Sequence, residues 1–166
     1  MQDGKLIEKL KKTRKRCMVS RVYRRLLPYG DPDRILQDAV KELTSGTIFQ
    51  ENGLALTPKY LIVFSGRTRA VIPLESALWV FRLQNMRYSF LKDRDVMHYS
   101  MRIYTITGDK LILKDRKKEE LDRIEALLTD RYPNFFYGYS EEHDRMVRYI
   151  LTEQAREVKE NRRKAR

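Results

Sequence analysis

The residues best suited to do chemistry in this chain are few. Two histidines, His98 and His143, and one cysteine, Cys17, are the only imidazole and thiol groups in 166 residues. Neither histidine has a second His or Cys at ligand spacing, and an open zinc site needs about three protein ligands. His98 reads as a strand residue near a loop and His143 as a first-turn helix residue, so no metal is assigned. The carboxylate pairs Asp93/Asp95 and Glu119/Glu120 lie in charged segments and read as solvated faces. The phosphate-cradling patterns G-x-x-x-x-G-K-[ST] and G-x-G-x-x-G are absent, as is the nucleophile elbow G-x-S-x-G. With no catalytic constellation and no cofactor motif, the expectation is a protein that is not an enzyme.

The cations say more. Lys59, Arg67 and Arg69 span a strand and the turn after it, and cations flanking a hairpin can converge on one phosphate cluster. In a chain with 35 Lys and Arg, however, such a spacing also arises by chance. A denser group comprises Lys11, Lys12, Arg14, Lys15, Arg16, Arg21, Arg24 and Arg25. The first 27 residues hold ten basic and two acidic side chains, so they carry +8 of a net charge of +12. A basic arm of this kind points to an anionic membrane surface, an acidic protein or nucleic acid. For nucleic acid, Trp79, Phe81, Phe90, Phe135, Phe136, Tyr137 and Tyr139 could stack bases. No recognised nucleic-acid motif accompanies them, which makes a basic nucleic-acid-binding protein the alternative reading.

One cysteine excludes an intrachain disulfide and suits a reducing, cytoplasmic setting. The longest uncharged apolar run, residues 60–66, is far short of the roughly 20 residues of a spanning helix. No apolar signal core interrupts the basic N-terminus. The expected location is cytoplasmic, peripheral at the cytoplasmic face of the membrane.

The elements that must position these groups follow from apolar periodicity. Leu6, Leu10, Cys17, Met18, Val22 and Leu26 predict a helix over residues 5–27 with a basic opposite face. Pro28, Gly30 and Pro32 break it. A second helix begins at Asp31-Pro32, an N-cap followed by a proline suited to the first position. It buries Ile35, Leu36, Ala39, Val40 and Leu43 and stops near Gly46. From Thr47 the pattern turns to short apolar runs. Asn52-Gly53 is a tight-turn signal. Strands are expected at residues 60–64, 70–74, 77–83, 98–107 and 111–113, with turns at Ser65-Gly66 and Gly108-Asp109, and residues 85–96 form a long exposed loop. A third helix covers residues 117–131. The aromatic connector 134–139 leads to a fourth helix capped by Ser140, with Met146, Val147, Ile150, Leu151, Ala155 and Val158 along its stripe and an end near Asn161. The layout is α+β, an antiparallel meander between helix pairs.

The middle of the chain resembles the bacterial pleckstrin-homology-like (PH-like) domains of uncharacterised Gram-positive proteins. The residues that carry the likeness are Leu56-Thr57-Pro58-Lys59-Tyr60-Leu61-Ile62, Ile72-Pro73-Leu74, Leu78-Trp79-Val80, the Gly108-Asp109 turn, Tyr132-Pro133 and Gly138-Tyr139-Ser140-Glu141-Glu142. The resemblance implies an antiparallel β-sandwich or partly open barrel of seven strands, closed by the helix at 117–131, with additional N-terminal and C-terminal helices. It implies no catalytic activity. Lys59, Arg67 and Arg69 also resemble the basic signature with which some eukaryotic pleckstrin-homology domains hold phosphoinositide headgroups. The resulting organisation is a basic helical segment (1–45), a PH-like domain (46–133) and a C-terminal helix with a basic tail (134–166). The expected function is an interaction module for a protein partner, drawn to anionic membrane by its first helix. Homodimers through an edge strand or the fourth helix are a further expectation.

Overall fold

The computed structural model describes residues 21–65, 68–89 and 91–164. They form two compact units that divide between Ser76 and Ala77.

The first unit opens with helix α1 (Arg21–Leu26), a 3-10 turn (Leu27–Tyr29) and helix α2 (Pro32–Ser45). Asp31 caps α2 as its sequence predicts, its side chain accepting a hydrogen bond from the Asp33 amide at 3.0 Å. Such a cap contributes about 1 kcal/mol. Strands β1 (Phe49–Glu51), β2 (Leu54–Leu56), β3 (Tyr60–Ser65) and β4 (Thr68–Pro73) follow, an antiparallel sheet in the order β1-β2-β3-β4. Asn52 and Gly53 join β1 to β2 with φ of 48° and 74°, the left-handed pair that a two-residue hairpin requires. Successive residues Leu61, Ile62, Val63 and Phe64 are all buried, so both faces of this sheet are covered. One face holds Ala55, Tyr60, Ile62, Phe64 and Val71 against Val22 and Leu26 of α1 and Leu36, Ala39 and Leu43 of α2.

Val22 and Leu26 are 2% and 0% exposed. The last turn of the expected basic helix is therefore part of a core. The expected helix from residue 5 up to residue 20 lies outside the described residues.

The second unit holds β5 (Ala77–Ser89), β6 (Arg94–Thr105), β7 (Lys110–Arg116), α3 (Lys118–Arg131), β8 (Phe136–Tyr137) and α4 (Glu141–Lys164). Its sheet has the order β7-β6-β5-β8, antiparallel except for the short parallel β5–β8 pair. Among the described residues neither sheet closes into a barrel. Ser140 caps α4 as expected, accepting from the His143 amide at 3.0 Å, and α4 runs past the expected end to Lys164.

Two expectations are overturned in this unit. Residues 85–96 are not a loop: β5 and β6 pair without a break from Val80↔Ile103 to Ser89↔Arg94. The connector 134–139 contains β8, which pairs with Trp79 and Val80 of β5. The two faces of the β5–β6–β7 sheet differ. On one, Trp79 and Phe81 pack with Tyr104, Phe136, Leu151 and Val147 of α4. Rings stack there, Trp79 against Tyr104 at 5.4 Å, and Trp79 Nε1 donates to the Gly138 carbonyl at 2.8 Å. On the other, Arg82 is ion-paired with Asp122 and Glu125 of α3. Glu120 corrects the reading of its pair as solvated. It is 1% exposed and meets Arg116 at 2.7 Å.

Candidate functional site

The free end of the β5–β6 hairpin and the sheet face behind it carry the surface features most suited to binding. Both depend on the ladder that the sequence concealed. Alternation along paired strands places residues on opposite faces. Asn85, Arg87, His98 and Ser100 share one face, and Gln84, Met86, Tyr88, Met97 and Tyr99 share the other.

On the second of these faces Met86 pairs directly with Met97, and Tyr88 follows on the same strand. These side chains are exposed by 64%, 37% and 51%, and Leu91 in the connecting turn is fully exposed. The turn is built by the Lys92 amide donating to the Ser89 carbonyl at 3.1 Å, with Asp93 at φ 46°. Aspartate tolerates that conformation because its short polar chain bonds locally. The Tyr88 hydroxyl donates to the Asp93 carboxylate. That bond, helped by desolvation, raises the phenol's pKa, so Tyr88 stays neutral. Arg87, Lys92 and Arg94 flank this apolar end, with Asp93 and Asp95 the acids nearby in sequence.

On the first face a groove of about 220 Å³ is lined by Leu83, Asn85, Arg87, His98, Ser100, Arg102, Ile112, Lys114 and Asp115, together with Tyr99. Strand register explains the convergence, because Leu83 pairs with Ser100 and Arg102 pairs with Ile112. β5, β6 and β7 thus each contribute a cation. The Arg102 guanidinium lies 5.9 Å from the centre of the Phe81 ring, and its Nε has no hydrogen-bond partner. The one carboxylate in the lining, Asp115, stands 2.9 Å from His98 Nδ1.

Lys59 is placed differently. Its ammonium meets Asp38 at 3.1 Å and Glu42 at 3.7 Å, and its amide donates to Glu42 at 2.9 Å. The Tyr60 hydroxyl donates to Asp38 at 3.0 Å. The Lys59 hydrogen bond is the main cause that holds the Asp38 carboxyl below its usual pKa. Arg69 faces Phe64, four pairs along the β3–β4 ladder from Tyr60↔Pro73, or about 13 Å. The structure does not bring Lys59 and Arg69 together, and Arg67 lies outside the described residues. Lys11, Lys12, Arg14, Lys15 and Arg16 also lie outside them. Arg21 and Arg24 belong to α1, where Arg24 is exposed, and Arg25 is half-buried.

Sequence reasoning missed the groove because its cations are 15 and 12 residues apart, at Arg87, Arg102 and Lys114. Only the register unites them. The alternation of His98, Ser100 and Arg102 was the available signal, but it did not show which neighbours stood alongside. Among the described residues no helix is long and apolar enough to cross a membrane. No protein-family model, curated protein or solved structure matches the chain.

Proposed function

We propose that the chain is a non-catalytic PH-like interaction module that docks on an anionic membrane surface through the end of its β5–β6 hairpin. The PH-like part of this reading is supported by the strand sequence. Seven strands in two sheets precede α3, in keeping with the seven strands and following helix that the resemblance implies, and β8 is an eighth strand added to the second sheet. The membrane part rests on one observation. A fully exposed leucine, two exposed methionines and an exposed tyrosine share the end of a hairpin with three cations. Single exposed apolar residues are ordinary, but a contiguous set on a projecting ladder marks an interaction surface. Tyrosine suits a membrane–water boundary because its ring is apolar and its hydroxyl wet. The three cations outnumber Asp93 and Asp95 by one, and that net charge favours an anionic surface over a neutral one by about 1 kcal/mol. The basic N-terminal residues add attraction of the same sign.

Co-sedimentation of the full chain with vesicles tests this reading. It requires binding to phosphatidylglycerol vesicles that weakens as salt rises, and much weaker binding to phosphatidylcholine vesicles. Equal binding to both, or to neither, would sink it.

A further inference from the structure

We infer that the groove on the β5–β6–β7 sheet is a binding site for a phosphate group. This goes beyond hairpin docking: the groove lies on the opposite face of the ladder from Met86, Tyr88 and Met97, and of the hairpin-end cations only Arg87 also lines it.

Several cations elsewhere in the fold are matched to acids. Lys59 is paired with Asp38 and Glu42, Arg82 with Asp122 and Glu125, and Arg116 with Glu120. Arg87, Arg102 and Lys114 are the exception on this face: among the described residues none of the three has an ion pair. They come from three adjacent strands and line one groove with the amide of Asn85 and the hydroxyl of Ser100. Asp115 is the sole carboxylate there, and it is engaged by His98.

Arg102 gives the site its direction. A shielded donor without a partner is costly, and native proteins seldom leave one without a reason. Its Nε–H is such a donor, on a guanidinium that the Phe81 ring backs at 5.9 Å. A guanidinium held in this way offers a planar fork of N–H groups, the shape that takes two oxygens of one phosphate. Lys114 and Arg87 add charge, and Ser100 and Asn85 add neutral donors. The chemistry recognised is a phosphate carrying at least two free oxygens, either as a soluble phosphomonoester or as a lipid headgroup.

The test titrates the full chain with inorganic phosphate, glycerol 3-phosphate and phosphatidic acid vesicles, with sodium chloride at matched ionic strength as the control. The readout is the Arg102 Nε–H resonance together with calorimetry. Saturable binding of the soluble phosphates is expected to move that resonance, and Arg102→Gln is expected to weaken binding about 10- to 100-fold. The exposed Lys114→Gln variant should also weaken it, which keeps the test valid if Arg102→Gln misfolds. Leu91→Asp should leave binding of soluble phosphate unchanged, separating the groove from the hairpin. Binding to phosphatidic acid vesicles alone, lost in Lys114→Gln, would assign the site to a lipid headgroup. No saturable response to any phosphate beyond the chloride control, or binding unaltered in both groove variants, would overturn the inference.

Discussion

Leu91→Asp is the perturbation that isolates the hairpin. Leu91 is 100% exposed, so its whole side chain is available for transfer to a bilayer and none of it supports the fold. Burying a leucine side chain is worth about 2 kcal/mol. An aspartate at the same place forfeits that and adds a like charge facing an anionic surface, about 1 kcal/mol more. The total, about 3 kcal/mol, corresponds to a loss of roughly 100-fold in vesicle partitioning. Folding stability should stay within about 0.5 kcal/mol, because the change is confined to an exposed turn. The assay is partitioning onto phosphatidylglycerol vesicles at fixed salt, with urea unfolding as the control. A variant that partitions within threefold of the parent, while equally stable, would show that Leu91 does not enter the bilayer. Attraction would then come from charge elsewhere and the apolar tip would be incidental.

Other expectations concern the fold that carries these surfaces. Replacing Glu120 with alanine removes the carboxylate that meets the buried Arg116 guanidinium and should cost about 3 kcal/mol, read as a fall in urea midpoint, whereas replacing both by leucine and methionine should recover most of it. Asp31→Ala removes the α2 cap and should cost about 1 kcal/mol by the same measure. The Asp38 cluster sets a pH dependence at both ends. Asp38 is depressed in the fold, so its contribution is complete above its unfolded value of 3.8 and fades as pH falls through the lower folded value. Lys59 and Tyr60 are raised, chiefly by the Asp38 hydrogen bond for Lys59 and by burial for Tyr60. Their contributions are complete below 10.5 and 10.0 and fade as pH rises through the folded values. Thermal midpoints of Asp38→Asn should therefore fall less steeply than the parent's at both the acid and the alkaline end. Parallel curves would refute the assignment.

What the sequence disclosed, and what it hid, follows from burial. Asp31-Pro32 announced α2 because caps are local chemistry, and Asn52-Gly53 announced its hairpin for the same reason. Tyr60 to Phe64 was legible as a strand covered on both faces because every position is apolar. Residues 85–96 were misread because the ladder there projects from the core. With both faces exposed, Asn85, Arg87, Asp93 and Asp95 carry no apolar alternation, and the backbone ladder with a few exposed side-chain bonds holds the extension. β8 was missed because two residues pairing in parallel leave no periodic trace. Glu120 looked solvated beside Glu119 because helix phase, not composition, turns one inward. The candidate site was least legible of all. Arg102 and Lys114 are unremarkable in a chain of 35 basic residues until register sets them side by side. The Lys59 spacing was visible, but its acids stand 21 and 17 residues upstream on α2.

Membrane docking requires the hairpin end to enter a bilayer, and an environment-sensitive fluorophore at position 91 asks this directly. Cys17 is replaced by serine, Leu91 by cysteine, and the single thiol is labelled with nitrobenzoxadiazole. A matched label at the exposed Thr129 of α3 serves as the control. If the hairpin end inserts, phosphatidylglycerol vesicles shift the position-91 emission to the blue and spin-labelled lipid quenches it, while the position-129 label stays in water. An unshifted, unquenched label at position 91 on vesicles that nevertheless bind the protein would contradict insertion.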